Sequence, residues 1–91
     1  MRASEDFILR EIAGEFMLVP TGAAAAKFNG LITTNEIGCF IFKALRDEEQ
    51  TEESLVTKIT GEYTIDADTA AEDLREFLQQ MRDVGALVEE K

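Results

Sequence analysis

The sequence contains no histidine and one cysteine, Cys39, among its 91 residues. Histidine is the commonest general base and metal ligand, so its absence excludes serine–histidine and cysteine–histidine catalytic sites within this chain. A lone cysteine cannot form an intramolecular disulfide, which predicts a reducing compartment, the cytoplasm. Because Cys39 lies in the most apolar segment, we interpret it as a buried core thiol rather than a nucleophile.

Basic residues are also scarce, with 9 Lys and Arg against 19 Asp and Glu and a formal net charge of -10. Affinity for nucleic acid comes mainly from Lys and Arg, so this balance argues against a nucleic-acid partner. Acidic residues exceed basic ones in both halves, which leaves no hidden basic arm. No apolar run approaches the roughly 20 residues of a membrane span, and acids interrupt the N-terminal segment, unlike a secretory signal.

Motifs for other chemistry are missing too. The sequence has no glycine-rich phosphate loop, and its paired acids are sequence neighbours that point to different sides of a helix. The stretch "DADTAAEDLREF" lacks the central glycine of a calcium loop and is better interpreted as a helix N-terminus. We therefore expect no catalytic residue, no metal and no cofactor, and predict that the protein is not an enzyme.

The first third of the chain is predicted to form three strands. Phe7–Ala13 and Phe16–Pro20 carry β-branched and aromatic residues, and Gly14-Glu15 between them indicates a two-residue hairpin turn in which Gly14 supplies a positive φ. The run "AAAAKFNGLI" is compatible with a helix or a strand by propensity. A third strand would complete a sheet with one apolar face, so we predict a strand over Ala26–Ile32, with a bulge or kink at Asn29-Gly30.

Three helices are predicted in the rest of the chain. Each follows a side chain that can cap a helix N-terminus, and the longest shows apolar residues at steps of three and four. The terminal "ALVEE" is either a short return strand or an ordered tail. The first helix is predicted to start at a cap on Thr34 or Asn35 and to end near Arg46. The second starts at Thr51 and ends at Gly61, and the third starts at Asp66 and ends at Gly85.

The predicted fold class is α+β, with an N-terminal three-stranded antiparallel sheet followed by a three-helix bundle, winged-helix-like in shape. We expect residues 1–91 to form a single domain. The first helix is apolar almost all round, so the sheet should cover one side and the other helices the rest. The third strand is the edge of the sheet, where an extended peptide, the chain's own tail or a second copy could pair.

Two segments of the sequence resemble the PqqD-like family of precursor-peptide recognition elements. The first is Asn35-Glu36 leading into Gly38, Ile41-Phe42 and Leu45, similar to the family's Asn-Glu-x-Gly/Ala-x-x-Ile/Leu-Trp/Phe-x-x-Leu helix start. The second is Phe77-Leu78, Met81 and Gly85 to Leu87, similar to its closing FL-x-x-L-x-x-x-G-x-L/V. The sequence departs from the family at Thr34, where Leu is usual, and at Phe42, where Trp is frequent.

The resemblance implies a non-catalytic, chaperone-like domain that binds the leader of a ribosomally made precursor peptide and presents it to a modifying enzyme, often a radical SAM protein. In the family the leader adds beside the third strand and lies against the third helix. The residues predicted on this basis to bind peptide are Ala25, Ala26, Lys27, Phe28 and Gly30 on the strand and Ala71, Arg75, Leu78 and Arg82 on the helix.

Charge suggests a role for part of this set. Arg75 and Arg82 are the only basic residues of an acidic helix, and with Lys27 they could bind acidic leader side chains. Alternatively, the two arginines pair with Glu72, Glu76 or Asp83 and only keep the helix soluble.

Two other functions remain compatible with the sequence. One is a structural or self-associating subunit, for example a homodimer whose edge strand pairs with itself. The other is a winged-helix DNA-binding regulator, which is disfavoured because "TEESLVTKITGEY" has one lysine among three glutamates.

Overall fold

The computed structural model describes residues 1–27 and 32–89. Two small antiparallel sheets and four helices make up this part of the chain. The strands are β1 (Arg2–Ala3), β2 (Phe7–Ile12), β3 (Glu15–Pro20), β4 (Ile32–Thr34) and β5 (Leu87–Val88), and the helices are α1 (Gly22–Lys27), α2 (Glu36–Asp47), α3 (Glu52–Glu62) and α4 (Ala67–Val84).

The hairpin of β2 and β3 turns through Ala13 and Gly14. Ile12 lies opposite Glu15, and both turn residues have positive φ, 54° for Ala13 and 82° for Gly14. Two successive positive φ values define the tight turn whose twist matches that of the flanking strands. The positive φ predicted for Gly14 is confirmed, but the predicted turn pair Gly14-Glu15 is wrong by one residue.

The third strand of this sheet is β4, which pairs antiparallel with β3 at the edge of the order β2-β3-β4. The fold class of a three-stranded antiparallel sheet followed by three helices is therefore confirmed. The predicted extent of the strand is wrong, because residues up to Lys27 belong to helix α1. Alanine has the highest helix propensity, and its run decides the local structure here. The predicted bulge at Asn29-Gly30 lies outside the described residues.

The predicted N-caps are confirmed, but α3 continues through Gly61 to Glu62, so the predicted end of that helix at Gly61 is wrong. Side-chain oxygens of Asn35, Thr51 and Asp66 each accept a hydrogen bond from the backbone N–H three residues later. These bonds satisfy donors that the first helical turn leaves free. At the other end of α4, Gly85 adopts the left-handed conformation with a φ of 77°. Such a C-cap favours glycine because a side chain would be strained there.

The core lies between α2 and its neighbours. Ile41, Phe42 and Leu45 of α2 are buried, and α2 contacts β1, β4, α3 and α4. This arrangement explains why α2 is apolar nearly all round, as the sequence predicts. Cys39 is buried, in agreement with its interpretation as a core thiol.

The smaller sheet joins the two ends of the described chain. Ala3 lies opposite Leu87 in the antiparallel pair of β1 and β5, and the N–H of Ser4 donates to the carbonyl of Ala86 at 2.8 Å. The return strand is thus one of the two predicted alternatives for "ALVEE", whereas its partner β1 was not predicted. None of the helices in the described part of the chain is long and apolar enough to cross a membrane.

Candidate functional site

The backbone of Thr33, the middle residue of β4, faces away from the sheet. Opposing residues of an antiparallel ladder alternate between pairs that exchange backbone hydrogen bonds and pairs that exchange none. The tight turn makes Ile12 and Glu15 a hydrogen-bonded pair. Met17 lies two residues farther along β3, so its backbone N–H and C=O also bond to β2. Thr33 lies opposite Met17 and therefore has no backbone bond to β3. Its N–H and C=O point outwards.

A backbone bond farther along the hairpin fits the same alternation. The N–H of Thr21 donates to the carbonyl of Asp6 at 2.6 Å. These two residues lie an even number of residue pairs beyond Ile12 and Glu15, where the alternation places a hydrogen-bonded pair. Among the described residues, no strand pairs with the outer side of β4. The outward donor and acceptor of Thr33 are thus placed to bond an added strand.

A cleft of about 300 Å³ borders this edge. Its walls come from β4, from the first turns of α2 and from one face of α4. Because these elements are far apart in sequence, the cleft exists only once the helices have packed beside the sheet. The described residues that line it are Thr33, Thr34, Asn35, Ile37, Gly38, Ile41, Asp73, Glu76, Phe77 and Gln80.

The apolar floor of the cleft depends on close packing at Gly38. A Cβ added to this glycine would lie 2.9 Å from Cβ of Thr34 and 3.1 Å from Cε1 of Phe77. Glycine therefore lets the start of α2 approach both β4 and α4. Phe77 is buried with only 5% of its surface exposed, and Ile41 is fully buried.

The rim of the cleft on α4 is acidic. Asp73 and Glu76 are both exposed, and neither forms an ion pair with any described residue. At 3.6 residues per turn these two side chains flank Phe77 on one side of the helix. The cleft lining, over the described chain, includes two carboxylates and no Lys or Arg.

The predicted strand residues lie elsewhere than expected. Ala25 and Ala26 are exposed on helix α1, and Lys27 is its last residue. Phe28 and Gly30 lie outside the described residues. The strand prediction for the first three is therefore corrected, because a helix places them before the sheet edge rather than along it.

The predicted helix row lies on the opposite flank of α4 from the cleft. Ala71, Arg75 and Arg82 are separated from Asp73 and the rest of the acidic rim by the buried stripe of the helix. Leu78 belongs to this stripe and is fully buried, so its predicted place in a surface groove is wrong. As peptide contacts, the predicted residues stay a prediction.

Both arginines of the predicted row form ion pairs. Nε of Arg75 lies 3.5 Å from Oε1 of Glu52, at the start of α3. Arg82 donates to Glu89 through Nε at 2.7 Å and Nη2 at 3.3 Å. This bidentate bond raises the pKa of Arg82 and lowers the pKa of Glu89. Local pairing, one of the two alternatives from sequence, is thus present, but with acids that the sequence did not suggest.

Two other groups have shifted pKa values. The pKa of Asp66 is lowered by the hydrogen bonds that its carboxylate accepts from Thr69 at the start of α4. Burial raises the pKa of Tyr63, and the nearby carboxylates of Glu36 and Glu62 raise it further. Both shifts have structural causes. Asp66 caps a helix, and the ring of Tyr63 packs edge-on against Phe40 at a centroid distance of 5.5 Å.

A second hollow lies at the loop between α3 and α4, but one continuous segment, residues 60–66, lines it. The hollow therefore brings together no side chains that are distant in sequence. Within residues 1–27 and 32–89, no three His, Cys, Asp or Glu side chains are arranged to hold a metal ion. The cleft beside β4 is therefore the best candidate for a functional site.

The cleft residues of α4 were not predicted from sequence. Asp73, Glu76 and Gln80 recur at steps of three and four, so they share one face of the helix. That spacing was available in the sequence. What it does not reveal is which of the two polar flanks of a helix faces the sheet.

Comparisons with known proteins agree with this fold. The sequence profile of the family described as coenzyme PQQ synthesis protein D (PqqD) matches residues 7–87. The structure is similar to that of TbiB1 in complex with the TbiA(beta) leader peptide, with a TM-score of 0.73 and 24% identity over 100% of this chain and 99% of the other. It is also similar to lasso peptide synthetase B1 complexed with the leader peptide, with a TM-score of 0.70 and 14% identity over 97% of this chain and 96% of the other. No curated protein sequence matches the chain.

Proposed function

The chain belongs to the PqqD family, and on that premise we propose that it binds the leader segment of a ribosomally made precursor peptide and presents the peptide to a separate modifying enzyme. The observation that carries the proposal is the outer edge of β4 beside a cleft, an edge that pairs with no strand of residues 1–27 and 32–89. Two structures of the same fold were solved with leader peptides, which supports the choice of ligand.

The proposed binding mode is strand addition. The peptide extends the sheet by pairing its backbone with the outward N–H and C=O of Thr33. Alternate peptide side chains then point towards the cleft, because successive residues of a strand face opposite sides. Ile37, which is partly exposed, and the exposed edge of Phe77 offer them an apolar surface.

The proposed contribution to the reaction is binding rather than bond chemistry. A leader held on this domain raises the local concentration of the peptide at the modifying enzyme. No histidine is available in the sequence, and Cys39, the one thiol, is buried and does not line the cleft. A radical SAM protein as the partner enzyme, a cytoplasmic location and a possible homodimer stay predictions.

The first test is an amide NMR titration of the isotope-labelled protein with the synthetic leader of a short precursor encoded beside its gene. We expect shifts concentrated in β4, the start of α2 and the Asp73–Gln80 face of α4, saturating at micromolar concentration. No shifts, or shifts confined to the far flank at Arg75 and Arg82, would overturn the proposed binding mode.

A pair of variants at Thr33 tests strand addition directly. Thr33→Pro removes the outward N–H but leaves the bonded pairs of β3 and β4 unchanged, since proline is tolerated on an edge strand. Thr33→Ala removes the same side chain and keeps the N–H, so it is the matched control. We expect the proline variant to bind leader about tenfold more weakly than the alanine variant, the effect of losing one backbone hydrogen bond. Equal affinity for folded forms of both variants would exclude pairing at Thr33.

A further inference from the structure

The charged residues of α4 that border the cleft differ from those on its opposite flank. The acidic residues Asp73 and Glu76 line the cleft, whereas both basic residues of the helix lie on the opposite flank. Those basic residues, Arg75 and Arg82, are paired with Glu52 and Glu89. They are thus directed away from a peptide in the cleft.

Among the described residues, no cation pairs with the two cleft carboxylates. Neither Asp73 nor Glu76 forms an ion pair within the described chain, and the cleft lining described here contains no Lys or Arg. A cation from outside would therefore replace no existing ion pair. An anionic side chain in the same place would meet two like charges.

We propose that the cleft selects leader peptides that place a lysine or arginine next to the edge strand, with the cation held between Asp73 and Glu76. This inference rests on the proposed function and specifies the class of peptide. It reverses the preference expected from sequence, in which a basic site receives acidic leader residues. The reason is that the acidic rather than the basic flank of α4 faces the cleft.

Geometry connects the charge preference to strand addition. Thr33 fixes the backbone of the peptide at the sheet edge, and the exposed parts of Ile37 and Phe77 give the cleft an apolar floor. A long side chain crossing this floor can bury its methylene groups and keep its charged end at the exposed rim. Lysine and arginine have this combination of an apolar stem and a cationic end.

The test uses three versions of one synthetic leader: the encoded sequence, a form with every Lys and Arg changed to Gln, and a form with every Asp and Glu changed to Gln. Affinities are measured by calorimetry at 50 and 300 mM NaCl. We expect the cation-free form to bind about 3- to 10-fold more weakly than the encoded leader, the range for one or two exposed charge pairs. The difference should shrink at the higher salt concentration because of screening.

Two double variants separate local charge from net charge. Asp73→Asn with Glu76→Gln removes the acidic rim, and Glu49→Gln with Glu53→Gln removes two exposed acids away from the cleft. Both raise the net charge by two. We expect only the rim variant to lose the discrimination between the encoded and the cation-free leaders.

The outcomes distinguish this inference from the function on which it rests. If the wild-type protein binds all three leader versions equally, or the control variant loses discrimination as fully as the rim variant, the charge inference is wrong and leader binding stands. If the wild-type protein binds none of the versions, the proposed function fails and the inference falls with it.

Discussion

Arg82 and Glu89 are joined by two hydrogen bonds, from Nε at 2.7 Å and from Nη2 at 3.3 Å. Arg82 lies in the last turn of α4, and Glu89 directly follows β5. The pair therefore fixes the return strand against the helix that precedes it. Bidentate arginine–carboxylate pairs are among the stronger side-chain hydrogen bonds.

This pair predicts a pH dependence of stability. Because the bond to Arg82 lowers the pKa of Glu89 in the folded protein, it contributes stability above the ordinary glutamate pKa. That contribution is lost as pH falls from about 5 through the lowered pKa. We expect Glu89→Gln to be less stable than wild type at pH 7, and the difference to shrink by pH 3. Urea unfolding at several pH values measures it, and a pH-independent difference would contradict the assignment.

Gly38→Ala should destabilise the protein by about 1–3 kcal/mol, the usual range for overpacking a close contact. The new methyl group would meet Thr34 and the ring of Phe77. Gly61→Ala is the matched control, because a Cβ at that helical glycine has no neighbour within 4 Å. The control should gain up to about 1 kcal/mol from helix propensity. Chemical denaturation measures both variants, and equal stability would show that the cleft floor tolerates a side chain at Gly38.

Ala13→Asn should stabilise the hairpin by about 0.5–1 kcal/mol. Alanine is strained at a φ of 54°, whereas asparagine tolerates the left-handed region and is favoured in this turn. Gly14→Ala tests the opposite direction at the next position, where a φ of 82° predicts a loss of about 1 kcal/mol. Thermal unfolding measures both changes. A destabilised Ala13→Asn variant would be inconsistent with the described turn.

Removing the cap of α2 should weaken the helix that forms part of the cleft. The side chain of Asn35 accepts a hydrogen bond from the N–H of Gly38 at 2.9 Å. Asn35→Ala loses this bond at a cost of about 1 kcal/mol, whereas Asn35→Asp keeps an acceptor and adds a favourable charge at the helix N-terminus. Denaturant titration of the two variants should rank the aspartate variant as more stable. The reverse order would argue against capping.

Local rules in the sequence were enough to predict α2, α3 and α4. Capping at Asn35, Thr51 and Asp66 and the glycine stop at Gly85 depend on residues within one turn, so they can be recognised without the fold. The hairpin was predicted for the same reason. Its turn was misplaced by one residue, because an alanine with positive φ is rarely anticipated.

The differences from prediction arose where one stretch of sequence is compatible with two arrangements. An alanine run before the third strand is compatible with two conformations, and the structure has a helix to Lys27. On α4, polar residues occupy both sides of the buried stripe, so sequence alone cannot tell which side faces β4. The sequence analysis therefore placed the arginines in the groove and did not identify Asp73 and Glu76, which line the cleft. The arginines as peptide contacts stay a prediction.

Pairing of β1 with β5 has a consequence for folding kinetics. Arg2 lies opposite Val88, whereas the hairpin of β2 and β3 joins residues that are close in sequence. Contacts between distant segments form late, because the intervening chain must first be ordered. During synthesis on the ribosome, the hairpin and α2 can therefore fold first. Closure by β1 and β5 must wait until residue 88 has emerged, and we expect it to be the last step of folding.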